Sequence, residues 1–249
     1  MDAHTQFILS LADNTLILSQ RLGAWCGHGP VLEQDIALTN IALDLLGQTR
    51  MLYAHAATIE KAGKSEDDYA FFRDGHQFFN VQLVEQPNQD WAYTIARQFF
   101  FDAYQLEQWK QLQNSADEAL AGIAEKAVKE ATYHLRFSSE WMLRLGDGTD
   151  VSHEKIQTAC DDLWMFTGEL YTPTAADQEI SNRGIGMDWD ELSRVWHQTT
   201  AAVLKEATLR MPENTWMQVG GKEGRHTENL GFILAEMQHL QRTYPGNAW

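Results

Sequence analysis

Two short runs decide how this chain is read: K-E-A-T-Y-H, Lys129 to His134, and L-D-L-L-G-Q, Leu43 to Gln48. Both lie in long stretches with apolar residues at helical spacing. A helical bundle that holds two irons with carboxylates places Glu-x-x-His on each of two helices and one carboxylate on each of two others. The first run reads Ala131-x-x-His134 and the second Asp44-x-x-Gly47. One pair lacks its glutamate and the other its histidine. The framework of a metal-binding bundle is there, with ligands missing.

Outward from these runs the pattern stays helical. The five prolines, Pro30, Pro87, Pro173, Pro212 and Pro245, each fall where the periodicity lapses, as expected near helix ends. Periodicity predicts helices over about 5–25, 33–62, 66–84, 90–113, 115–145, 152–167, 190–210 and 227–242. The segment 171–187, with Gly184 and Gly186, reads as loop. No hairpin pattern, low-complexity tract or short repeat interrupts the series. The expected fold is all-α: one domain over 1–249, with a four-helix bundle core at about 5–146 and accessory helices at about 147–249.

Antiparallel helices joined by a short turn bring residues equidistant from the turn to one height. Asp13 lies about fifteen residues before the first turn and Asp44 about sixteen after it. Asp102 lies about thirteen residues before the turn at Ser115, and Ala131 and His134 about sixteen and nineteen after it. The layer predicted from these spacings holds Asp13, Asp44, Asp102 and His134. A working pair of irons needs roughly six protein ligands, two of them imidazoles. Gly47 offers no ligand atom, Ala131 removes a carboxylate, and Asp44 is one methylene shorter than Glu. Such a layer could hold a single divalent ion weakly, but not an oxygen-activating pair, so no metal is assigned to this chain. Acids buried without metal must be paired with a cation or stay protonated, and Arg97, Arg50, Lys129 and His134 are candidates. The plainer reading of His134 is a hydrogen-bonded core histidine.

Bulk composition narrows the partners. The formal net charge is −16 over 249 residues, the wrong sign overall for nucleic acid or an anionic membrane surface. No signal peptide and no run of eighteen apolar residues is visible. The two cysteines, Cys26 and Cys160, are far apart and argue against a disulfide framework. The expectation is a cytoplasmic protein. The stretch V-G-G-K-E-G-R-H-T-E, Val219 to Glu228, offers Lys222, Arg225 and His226 beside a helix N-terminus. It reads either as a helix start capped by Thr227 or as a phosphate or partner contact. His153, His197 and His239 have no matching ligand spacing. The aromatic run from Trp91 to Trp109 reads as core, whereas an exposed Trp216 or Trp249 would mark an interface.

Longer runs carry a resemblance. L-S-Q-R-L-G-A-W-C-G-H-G-P-V-L-E-Q-D-I-A-L-T-N-I-A-L-D-L-L-G-Q (Leu18 to Gln48), D-D-Y-A-F-F-R-D, Q-L-V-E-Q-P-N, K-E-A-T-Y-H-L-R, W-M-L-R-L-G-D-G-T and G-R-H-T-E-N-L-G are similar to the structural subunits of the bacterial phenylacetyl-CoA ring-1,2-epoxidase family, across essentially the whole chain. The resemblance implies a ferritin-like bundle that scaffolds a related catalytic A subunit. It implies that the di-iron centre belongs to that partner, with electrons from NADPH through a flavin and iron–sulfur reductase. The small B subunit, the reductase and a second copy of the chain are further implied partners. By comparison with the catalytic partner, Ala131 and His134 stand where a ligand Glu and His would be, and Asp44 and Gly47 where the other Glu-x-x-His would be. No catalytic residue carries over.

Three readings follow. The first is a non-catalytic subunit of a multicomponent oxygenase acting in phenylacetate breakdown. The second is a metal-dependent oxidase or hydrolase using Asp44, Asp102 and His134. The third is a coenzyme A-binding module built on the Gly-rich loop.

Overall fold

Side-chain caps set the helix starts. In the computed structural model, which describes residues 1–213 and 216–247, Asp2 accepts the Thr5 amide at 3.0 Å, and Asp90, Asp117 and Asp188 cap later helices in the same way. Each supplies an acceptor to an amide that has no partner within the helix. The α-helices are α1 (Ala3–Gly23), α2 (Leu32–Glu60), α3 (Glu66–Phe71), α4 (Trp91–Leu112), α5 (Glu118–Gly146), α6 (Asp150–Trp164), α7 (Gly168–Tyr171), α8 (Ala175–Asn182), α9 (Trp189–Glu206), α10 (Glu228–Met237) and α11 (His239–Thr243). Among the described residues there is no strand, so the expected all-α class holds. No helix among them is long and apolar enough to cross a membrane.

The chain forms two compact units: Met1–Glu85 with Gly220–Trp249, and Gln86–Val219. Helices α6 to α9 belong with α4 and α5, while α10 and α11 belong with α1 to α3. Hydrogen bonds explain the return of the C-terminal segment. Gln6 Nε2 donates to the Lys222 carbonyl, Gln82 Nε2 to that of Arg225, and Gln238 Nε2 to those of Ala70 and Arg73. Amides of this kind leave no periodic signal in a sequence.

In the first unit α1 and α2 run antiparallel. Tyr53 of α2 bonds Asp13 of α1, and Thr49 bonds Thr15 at 2.8 Å, so partner numbers fall on α2 as they rise on α1. Nearly every residue from Phe7 to Ser19 is buried, as for a helix enclosed on all sides. On α2 burial is confined to one stripe through Leu38, Ile41, Leu45, Gln48, Leu52 and Ala56. The single helix expected over 66–84 is not formed. After the short α3 the chain crosses α1, and two of its amides bond α1 side chains: Phe79 N–H to Asp13 and Val81 N–H to Asn14, both at 2.8 Å.

In the second unit α4 is likewise buried along most of its length. α5 buries Leu120, Ala124, Ala127, Ala131, His134, Ser138 and Met142 along one stripe. The aromatic run is core, as the sequence suggested: Phe99, Phe100, Phe101 and Trp109 are fully buried. Trp196 of α9 stacks near Phe100, Trp164 and Tyr171, and its indole N–H donates to the Phe100 carbonyl at 2.9 Å. The segment expected as loop over 171–187 contains α8, started by a reciprocal Thr174–Asp177 capping box. Trp216 is 56% exposed, and Trp249 lies outside the described residues.

Gly146 ends α5 against a later segment of the same unit. A Cβ there would stand 2.1 Å from the Ala207 carbonyl oxygen, whereas one at Gly122 meets nothing within 4 Å. Gly146→Ala is expected to lower unfolding free energy by about 1–3 kcal/mol through overpacking. Gly122→Ala, exposed in mid-helix, should raise it by up to about 1 kcal/mol. Urea melts of the two variants check the contrast.

Candidate functional site

Of the four acids and imidazoles expected to share a layer, Asp13, Asp102 and His134 are fully buried. The two oxygens of Asp13 accept from Tyr53 Oη (2.6 Å), both terminal nitrogens of Arg73, and the Phe79 amide (2.8 Å). Arg73 is fully engaged as well. Its Nε donates to the Tyr69 carbonyl at 2.7 Å, Nη1 also to the Gln77 carbonyl at 2.8 Å, and Nη2 also to Tyr53 Oη at 2.8 Å. The guanidinium lies over the Phe78 ring, 4.1 Å from its centre. Burial works against the Arg73 charge, but the Asp13 carboxylate outweighs it and pushes the guanidinium further up. Burial, with Asp13 beside it, also raises the Tyr53 phenol well above its ordinary value, so it stays a donor.

An acid with four donors on two oxygens has no lone pair left for a metal. The cation that neutralises Asp13 is none of the four the sequence put forward. Arg97 is buried but donates to the Gln86 carbonyl and Asn88, Arg50 is exposed and pairs with Glu66 at 2.8 Å, and Lys129 is exposed. Arg73 was missed because it follows a short helix that periodicity had prolonged. The available signal was an arginine closing the apolar run Tyr69-Ala70-Phe71-Phe72.

The register of α1 against α2 corrects the expected layer. Asp13 is level with Tyr53, nine residues past Asp44, which is about 13 Å along the helix. Asp44 and Gly47 also lie off the buried stripe, and both are partly exposed. The buried pair with the i, i+3 spacing of a ligand motif is Leu45 and Gln48. A one-residue shift rotates a helix position by about 100°, which is why spacing alone chose the wrong pair.

In the second unit Ala131 and His134 of α5 are both fully buried on one stripe. Asp102 of α4 is fully buried, accepting from Gln98 Nε2 and from Ser138 Oγ, each at 2.7 Å. Burial pushes its carboxyl up to about 6, held from rising further by His134, Ser138 and Gln98. This unit brings one acid and one imidazole together. Ala131, one turn before His134 on the same stripe, supplies no ligand atom.

The Gly-rich segment carries a different constellation. Fully buried Glu85 accepts from the Thr227 amide at 2.7 Å, His226 Nδ1 at 3.1 Å and Asn80 Nδ2 at 3.3 Å. His226 Nε2 faces the Phe78 carbonyl at 2.9 Å. Both ring nitrogens therefore face acceptors, an arrangement that favours the doubly protonated ring. Burial disfavours that charge, and the Glu85 carboxylate and Phe78 carbonyl more than offset it, raising the imidazole above its ordinary value. Gly224, at φ +81°, lets the loop pass where a Cβ would meet the His76 carbonyl at 2.3 Å. The place a phosphate would take at the start of α10 is held by Glu85. Arg225 pairs with Glu223 at 2.7 Å and Lys222 is buried.

These are helical units whose buried acids Asp13 and Glu85 are satisfied by protein donors. The chain belongs to the phenylacetic acid catabolic protein family, whose model matches residues 1–249. It is 51% identical, over all of both chains, to the C subunit of the 1,2-phenylacetyl-CoA epoxidase of Escherichia coli (strain K12).

Arg73→Met leaves the Asp13 charge buried without its cation and should cost about 3–5 kcal/mol. Asp13→Asn combined with Arg73→Met should recover part of that loss in denaturant melts. Equal losses for the single and double variants would remove the pair from its assigned role. His226 gives a pH signature. Its stabilisation is complete below its ordinary pKa of 6.5, where folded and unfolded forms are both protonated. It is lost as pH rises from there through the raised folded value. Wild-type stability should decline over that window, and His226→Gln should lack this component when the two pH profiles are compared.

Proposed function

We propose that this chain is the non-catalytic subunit of a phenylacetyl-CoA epoxidase acting in phenylacetate catabolism. The observation that carries this reading is the saturation of Asp13 by Arg73, Tyr53 and the Phe79 amide. It converts a would-be ligand into a structural ion pair. The residues present do not fit a di-iron centre. Asp13 is fully engaged, Ala131 has no donor atom, and the buried pair of α2 is Leu45 and Gln48. Likeness to the E. coli protein over the full length supports the assignment to the complex.

In this proposal α1, α2, α4 and α5 are the four helices of a ferritin-like bundle, in one domain, and the remaining helices are accessory. The related catalytic subunit holds the irons and epoxidises the ring of phenylacetyl-CoA with O2. A flavin and iron–sulfur reductase supplies it with electrons from NADPH. This chain keeps the catalytic partner in shape in the cytoplasm, with the small B subunit, the reductase and a second copy of itself as further partners. The independent-oxidase reading loses its footing because Asp44 stands off the buried stripe of α2. The coenzyme A-binding reading loses its footing because Glu85 occupies the start of α10.

Reconstitution tests the proposal. Purified chain with reductase, NADPH and phenylacetyl-CoA should consume no substrate, and adding the iron-loaded catalytic partner should start turnover. Epoxide formed by this chain and the reductase alone would refute the proposal, as would full activity of the catalytic partner without this chain.

A further inference from the structure

α2 carries a second apolar stripe, on the side opposite the buried one. Leu32 is 72% exposed, Ile36 51%, Leu43 59% and Leu46 37%. At about 100° per residue these four, with Thr39 among them, fall within roughly 40° of one line and run along about 21 Å of helix. Leu43 and Leu46 also form one wall of a groove of about 560 Å³ whose other wall includes Ile233 and Met237 of α10. Isolated exposed apolar side chains are ordinary, whereas a contiguous row bounded by polar groups marks an interaction surface.

Charge decides what covers it. Glu33 and Asp44 flank the stripe on one side, Asp35 on the other, and Glu236 stands across the groove. Of the cations nearby, Arg50 is paired with Glu66, and Arg21, bonded to the Glu85 carbonyl, lies within the groove and of these acids offsets Glu236 alone, leaving Glu33, Asp35 and Asp44 along the stripe. A second copy laid on this face would set acid against acid, in a chain whose formal net charge is −16. Like-charge juxtaposition opposes such pairing, and a basic rim on the partner favours it.

We propose that the exposed stripe of α2 with the α10 groove is the surface on which the catalytic companion subunit docks, through an amphipathic helix whose apolar face is flanked by Lys or Arg. This rests on the assignment of the chain to the epoxidase complex. It adds the surface and the chemistry of what meets it. The helix is suited to the task, because Gly47 at the edge of the stripe opens on empty space and lets a partner backbone approach closely.

The test measures association of the full-length chain with recombinant catalytic subunit by sedimentation and by titration calorimetry. Ile36→Lys/Leu43→Lys should weaken binding at least tenfold. Val151→Lys, at an equally exposed apolar site on α6 (65% exposed), should not change it. Glu33→Lys/Glu236→Lys, both at exposed positions, should weaken binding and flatten its dependence on salt, with thermal melts showing that every variant is folded. Wild-type association that the stripe variants leave intact overturns the surface while the subunit assignment stands. Absence of association by the wild type overturns the assignment itself. A self-dimer of the wild type that Ile36→Lys/Leu43→Lys makes monomeric overturns the choice of occupant.

Discussion

The buried pair of Asp13 and Arg73 ties the first unit together. It joins the middle of α1 to the end of α3, and through Tyr53 it reaches α2. A buried ion pair gains little net energy over a well-packed apolar cluster, but breaking it leaves a charge in a medium that cannot solvate it. The chain beyond α3 is therefore constrained. It must deliver the Gln77 carbonyl to the guanidinium and the Phe79 amide to the carboxylate. The irregular path of residues 72–81 follows from that constraint.

A second buried pair does the same for the returning C-terminal segment. Glu85 receives the Thr227 amide at the start of α10 and the His226 ring, so the Gly-rich loop is anchored by charge as well as by shape. In these two pairs Arg73 and His226 each meet a buried carboxylate that would otherwise be stranded.

Much of this was legible in the sequence. Apolar spacing located the long helices to within a few residues, because a helix that buries one face must repeat every 3.6 residues. The G-D-G-T stop after α5 and the Asp caps follow from local backbone chemistry in the same way. Ala131 and His134 could be placed on one buried stripe of α5 because positions i and i+3 share a face. That Ala131 offers no ligand atom needed no coordinates.

The partners of buried charges were another matter. Asp13 is about sixty residues from Arg73, and Glu85 about one hundred and forty from His226. No periodicity links such positions, since each contact depends on where intervening helices end. Spacing also failed to choose between Asp44-x-x-Gly47 and Leu45-x-x-Gln48. The answer is the rotation of α2 about its axis, which packing against α1 sets and which a second apolar stripe on its outer side obscures. The sequence by itself determined the long helices and which positions carry no ligand atom, because both are local properties of residue type and period. Only the tertiary structure decided which charges meet and which face of α2 turns inward, because those depend on register between helices far apart in the chain.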